Sequence, residues 1–208
     1  ENNMRITSHP GPFNVLTSPH EHVVENCIND LSIHGEVFDM MGLSRTPYNK
    51  INIHIGGAYG DKVSAMERFC TNFHRLPESV KSRLTVENDD KASMYSVVDL
   101  YEGVYKVIGI PIVFDYHHHR FCTGGLTEED ALEVAISTWV DIVPVVHYSE
   151  SRNIEQEDNK IRPQAHSDYV YDYIDTYGNR VDIMVEAKAK ELAVLKYKEI
   201  HNDIRTNS

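Results

Sequence analysis

Histidines and carboxylates recur in this chain where short apolar runs end: His9, His54, Glu87, Asp115 with His118, His147 and Glu186. Glu87 closes Leu84-Thr85-Val86, Asp115 closes Ile112-Val113-Phe114, and Glu186 closes Ile183-Met184-Val185. Burying an ionised carboxylate at the end of an apolar strand is costly unless a cation balances it. Each residue alone has an ordinary reading. His9 in Ser8-His9-Pro10-Gly11 suits a turn, and His54 suits a core histidine bonded to a backbone carbonyl. Taken jointly, they are the donor set of a multi-metal centre. Imidazole and carboxylate without thiolate fit Zn²⁺, Mn²⁺ or Fe²⁺ ahead of Ca²⁺ or Mg²⁺ alone. Two or three such ions suit phosphodiester hydrolysis, by activating a water and holding the phosphate and leaving oxygen. The same donors also suit a sugar isomerase or epimerase that polarises a hydroxy-carbonyl with two ions.

Other chemistry is weakly signalled. Gly56-Gly57-Ala58-Tyr59-Gly60 follows a predicted strand but lacks the Lys-Ser/Thr ending of a phosphate loop and the dinucleotide-binding spacing. It reads as a close backbone approach to a ligand. No Ser-His-Asp arrangement is defensible around Ser8, His9 or Ser149. Tyr148, Tyr169, Tyr171, Tyr173 and Tyr177 make the C-terminal third aromatic, mostly for packing, with nucleobase stacking as the functional alternative.

To bring these run-ends together, the runs must be parallel strands whose C-terminal ends share one face, as in α/β folds. The patterning predicts strands over 4–8, 50–54, 84–88, 111–115, 142–147 and 181–186. Between them it predicts helices over 20–41, 61–76 and 93–108, one opening at Thr127, and others over 169–177 and 189–201. Six βα units in 208 residues is about 35 residues per unit, enough for strand, helix and two loops. An eight-stranded barrel usually needs about 250 residues. The expectation is therefore a barrel-like α/β domain spanning 1–208 with about six of eight units, an open doubly wound sheet being the alternative. The chain begins without an initiator methionine, which points to a fragment or a processed chain.

Composition limits the rest. With 41% hydrophobic and 25% charged residues, the chain can bury a core unaided, which excludes disorder, collagen and coiled coil. No apolar run approaches the roughly 18 residues of a membrane span. Glu1-Asn2-Asn3-Met4 does not open a signal peptide, and three widely spaced cysteines read as free thiols in a reducing compartment. The expected location is the cytoplasm or nucleoid (the nucleus in a eukaryote), without secretion. Thirty-two acids against 20 bases give a net charge of -12, which opposes nonspecific nucleic-acid binding unless bound cations offset it.

The motifs together resemble the UV damage endonucleases, whose barrel is related to endonuclease IV. The resemblance runs almost end to end. It includes Ser8-His9-Pro10-Gly11, His54-Ile55-Gly56-Gly57-Ala58-Tyr59-Gly60-Asp61-Lys62, Val86-Glu87-Asn88-Asp89 and Phe114-Asp115-Tyr116-His117-His118. Val146-His147-Tyr148-Ser149, Arg162-Pro163-Gln164-Ala165-His166 and Val185-Glu186-Ala187-Lys188 continue it. It implies a metal-dependent endonuclease that nicks duplex DNA immediately 5′ of UV photoproducts, commonly with manganese, zinc or magnesium being alternatives. It implies that His9, His54, Glu87, Asp115, His118, His147, His166 and Glu186 are metal ligands, Glu87 being the natural bridging carboxylate. Glu87, Glu186 and Lys188 are then the expected catalytic residues. Pro12, Phe13, Tyr59, Lys62 and Arg162 are the expected DNA contacts, Lys62 and Arg162 at phosphates.

Three departures qualify the resemblance. The chain starts at the family's third strand, so a further segment or subunit is expected to complete the barrel and cover apolar edges. The family carries a lysine, modified in some members to a carboxylated metal-binding form, where Val145 stands two residues before His147. Its loop Gln-Tyr pair, which probes the distorted duplex, is here Pro12-Phe13: a ring that can wedge and a proline that cannot replace glutamine's hydrogen bonds. A truncated homologue that binds without cutting is the non-enzymatic alternative.

Overall fold

The computed structural model describes residues 4–201. Among them five short strands, β1 (Ile51–Ile53), β2 (Leu84–Glu87), β3 (Ile112–Asp115), β4 (Val145–Tyr148) and β5 (Asp182–Val185), pair in parallel in chain order. A doubly wound sheet would reverse its order part-way. This one does not, and it curls.

Alternation along each strand makes two faces. Ile51, Ile53, Leu84, Val86, Ile112, Phe114, Val146 and Tyr148 join the main core under the surrounding helices. On the opposite face Val113, Val145 and Met184 pack with Trp139 and Ile142 into a small apolar floor. Two residues further along β3 and β4, on that same face, stand Asp115 and His147. Strand ends thus carry the polar residues, and strand middles seal the interior beneath them.

Helix Glu21–Met40 buries Val24, Cys27, Leu31, Gly35 and Phe38, the three- and four-residue spacing of one helical face. At Gly35 a Cβ would come within 2.7 Å of Ser79 Oγ and 2.9 Å of Val80 Cγ2, so the helix Glu78–Lys81 packs here against bare backbone. Helix Lys62–Phe73 is capped by Asp61, whose carboxylate accepts from the Val63 and Ser64 amides. The predicted helix over 93–108 starts later, at Val97, with a Ser96–Asp99 capping box. It widens into a π-type turn over Tyr101–Tyr105 and ends at left-handed Gly109.

The strand predicted over 142–147 begins only after Pro144, as Val145–Tyr148, and two further predicted elements are absent. The run 4–8 contributes one parallel bridge, Ser8 to Ile51, and no strand. It lies at the sheet margin, pairs on one side only, and leaves Met4 and Ile6 exposed. From this margin Arg5 Nη1 donates to Asp182 Oδ2 at 2.8 Å and to the Val143 carbonyl at 2.6 Å. The two sheet margins therefore lie one side chain apart, making a curled half-barrel with five strands in place of the six expected. The predicted helix over 169–177 is irregular chain. Glu155 takes the amides of Asp168 and Tyr169, and Glu150 those of Tyr171 and Asp172, so these donors make carboxylate contacts in place of helical ones. All three cysteines are buried and free. No helix among the described residues is long and apolar enough to cross a membrane.

Candidate metal centre

Inward alternation puts Lys50, Asn52 and His54 on one face around β1, and Thr85 and Glu87 on one face of β2. Glu87, 1% exposed, is the hub. Its Oε2 lies 3.3 Å from His9 Nε2 and 3.1 Å from His147 Nδ1. Its Oε1 lies 3.3 Å from His118 Nδ1 and 3.9 Å from His54 Nε2. Glu186 Oε1 is 2.9 Å from His147 Nδ1, and Glu186 Oε2 is 3.6 Å from His166 Nδ1. Asp115 uses Oδ1 to cap the turn Tyr116–His119 through the His118 amide, which leaves Oδ2 directed elsewhere.

These donors form two groups with Glu87 in common: His9, Glu87, His147 and Glu186, and His54, Glu87 and His118. Within each group the ligand atoms all lie within 4.8 Å of one another. Three buried atoms around this point, Glu87 Oε1, Asp115 Oδ2 and His147 Nδ1, have no aligned hydrogen-bond partner. Buried polar atoms are nearly always bonded. Close but unaligned nitrogens and carboxylate oxygens are what ligands around a cation look like, so the residues present fit divalent metal.

The electrostatics agree. Burial alone would raise the Glu87 carboxyl, but the His147 and His54 imidazoles, with contacts from His118, hold it well below the usual carboxylate range. Burial pushes Asp115 up to about 6, with Glu87 adding to the rise and His118 opposing it. His118 is lifted against burial by Glu87 and Asp115 to about 10. Burial would lower His147, and Lys50 adds to that, yet Glu87 and Glu186 outweigh both and raise it. Such rings hold protons that a bound cation would displace.

Three residues that do not end an apolar run lie against the centre. Asn52 donates its amide to Glu87 Oε2 while its carbonyl oxygen accepts from Thr85 Oγ1 at 2.8 Å. Asp89 Oδ1 lies 3.0 Å from His54 Nδ1. Lys50, with no exposed surface, places Nζ 3.1 Å from His147 Nε2, and burial brings its pKa down to about 8. Their signal in the sequence is alternation: 50, 52 and 54 share a face. Of the run His117-His118-His119, only His118 joins the two groups. His117 packs edge-on against Phe121 and His166, and His119 packs on Phe114.

A cavity of about 910 Å³ opens over the centre, lined by His9, His54, Glu87, His118, His166 and Glu186 together with Pro12, Asp90, Lys91 and Lys188. Asp115 and His147 lie beneath its lining. Phe13 projects beside it, 88% exposed. Gly56 and Gly57 line the cavity, and Gly56 also approaches protein: at its φ of 109° a Cβ would sit 2.6 Å from Thr17 Oγ1. Tyr59 is half exposed on the same loop, with the Arg68 guanidinium 5.8 Å from its ring. Tyr59, Lys62 and Arg162 are not among the residues lining this cavity. Lys62 is paired with Asp99 at 2.8 Å, and Arg162 lies exposed in the loop before His166.

The family model described as UV-endonuclease UvdE matches residues 1–206. The chain belongs to the UvdE family. A UV DNA damage endonuclease of Bacillus cereus (strain Q1) is 38% identical over 209 residues, covering 95% of this chain and 62% of that relative. The chain thus spans a little under two thirds of that relative's length. Among solved structures, that of SacUVDE superposes with a TM-score of 0.83 at 33% identity, over 98% of this chain and 67% of the other. A 3-keto-D-glucoside 4-epimerase from E. coli aligns with a TM-score of 0.63 at 10% identity, over 97% of this chain and 78% of that one, a likeness of fold alone. The UvdE half-barrel therefore carries its acid–imidazole cluster at the strand ends, the face on which parallel barrels place chemistry.

Proposed function

We propose that this UvdE half-barrel is the catalytic part of a metal-dependent DNA repair endonuclease that nicks duplex DNA immediately 5′ of UV photoproducts. The observation that carries the reading is the buried Glu87, shared between two groups of imidazole and carboxylate donors on the floor of an open cavity. Two or three divalent ions, manganese first and zinc or magnesium as alternatives, would be held by Glu87 with His54, His118 and Asp115, and with His9, His147, Glu186 and His166. When bound, such ions lower the pKa of a water and stabilise charge on the phosphate and leaving oxygen.

The chain's own residues do the rest. Asn52 holds the Glu87 carboxylate in place, and Asp89 faces the far nitrogen of His54. Lys188, exposed on the cavity lining, offers its ammonium to the scissile phosphate. Phe13 wedges into the base stack, which a photoproduct has already made cheap to open. Pro12 stiffens the loop beneath it without donating a hydrogen bond. Tyr59, Lys62 and Arg162 extend the contact to flanking DNA, and the cations offset an acidic chain that would otherwise repel it. A further segment or subunit completes the barrel at the two sheet margins, parting the Arg5–Asp182 contact to do so, and the enzyme works on DNA in the cytoplasm. Replacing Glu186 by Gln should leave the fold intact and abolish nicking, whereas retained nicking removes Glu186 from the reaction.

A further inference from the structure

Lys50 precedes β1 and shares its inward face with Asn52 and His54. It has no exposed surface, and its Nζ lies 3.1 Å from His147 Nε2. The other nitrogen of that ring faces Glu87 Oε2 at 3.1 Å and Glu186 Oε1 at 2.9 Å. One imidazole therefore separates a lysine from the two carboxylates that would hold a cation. An ammonium has donors only. With Lys50 donating to Nε2, or with the ring charged, Nδ1 carries a hydrogen and has no lone pair for a metal. Metal-binding histidines normally turn their second nitrogen towards an acceptor. Charge acts in the same direction, because an ammonium behind the ring repels a divalent ion in front of it.

In the second group an acceptor, not an ammonium, meets one nitrogen of each ring. His54 Nδ1 faces Asp89 Oδ1 at 3.0 Å, and His118 Nδ1 faces both the Asn88 carbonyl at 2.9 Å and Glu87 Oε1 at 3.3 Å, which leaves Nε2 of each ring its lone pair for a metal. We propose that Lys50 makes the two cation positions unequal. The His54–Glu87–His118 group fills first, and the His9–Glu87–His147–Glu186 group takes its ion at least about tenfold more weakly. The inference rests on the metal-centre reading above and deepens it. A weakly held ion is one whose occupancy a bound phosphate can raise, since linkage between the two ligands is reciprocal.

Calorimetric titration of the metal-free chain with Mn²⁺, with free ion counted by EPR, tests this. The unaltered chain should show two steps at least about tenfold apart. Lys50→Met and Lys50→Gln should each tighten the second step by about tenfold or more and move the first by less than about threefold. Glutamine removes the charge and can turn its carbonyl oxygen to His147 Nε2 as an acceptor. His118→Ala should remove the tight step and leave the weak one. Two equal steps in the unaltered chain overturn the proposal, whether or not the variants fold. So does an unchanged second step in both Lys50 variants with native circular dichroism. Either result leaves the metal centre standing, whereas no Mn²⁺ binding at all overturns both readings.

Discussion

Replacing Asn52 by Leu tests the support of the shared carboxylate. Asn52 and Thr85 are fully buried and Glu87 nearly so. Asn52 donates to Glu87 and accepts from Thr85, so leucine, similar in size, removes both bonds. A hydrogen bond to a charged group contributes about 1.5–3 kcal/mol, and a buried hydroxyl left unpaired costs about 1–3 kcal/mol. Added apolar burial returns about 1 kcal/mol. His147 and His54 still face Glu87, which keeps the loss below that of an isolated buried charge. The expected net loss is about 3 kcal/mol, read as a lower urea midpoint at unchanged slope, in chelator so that metal linkage does not enter. Thr85→Val in the same background completes a double-mutant cycle with a coupling of about 1 kcal/mol. A loss under about 0.5 kcal/mol for Asn52→Leu, or strict additivity with Thr85→Val, would refute the Thr85–Asn52–Glu87 chain.

Other perturbations follow from the same geometry. His118, raised to about 10, is protonated at pH 7 in the metal-free chain, and a ligand ring must give up that proton. Manganese uptake should therefore release protons, and affinity should weaken as pH falls from 9 to 6; calorimetry in buffers of different ionisation enthalpy measures this, and heats independent of buffer would contradict it. A raised histidine also stabilises the metal-free fold below its unfolded pKa of about 6.5. That contribution should be lost as pH rises towards 10, visible as a falling thermal midpoint. Phe13→Ala, at a residue 88% exposed, should leave stability within about 0.5 kcal/mol and metal content unchanged while weakening binding to irradiated duplex. Equal binding to irradiated and undamaged duplex by the unaltered chain and the variant alike would remove the wedge.

Much of the centre is legible in the sequence because strand geometry makes it so. Carboxylates such as Glu87 and Asp115 at the end of apolar runs are costly to bury, and parallel strands bring their ends together, so position and residue type point to one place. His166 lies off the strands and enters through the resemblance alone. Lys50, Asn52 and Asp89 escape notice because lysine, asparagine and aspartate near strands are ordinarily exposed, and only the fold shows what they face. The 4–8 run has strand composition, but a ladder needs a neighbour, and Ser8 alone finds one. The aromatic segment 169–177 has helical spacing, yet Glu150, far off in sequence, takes two of its amides. Long-range competition of that kind leaves no local trace.

Nicking of end-labelled duplexes in Mn²⁺ or in chelator, one UV-irradiated, one with an abasic site and one undamaged, separates a repair endonuclease from a chain that only binds. The proposed enzyme makes one metal-dependent cut immediately 5′ of the photoproduct, absent in chelator and absent from the undamaged duplex. No cut on any duplex by folded, metal-loaded protein, or a cut that persists in chelator, would contradict that reading.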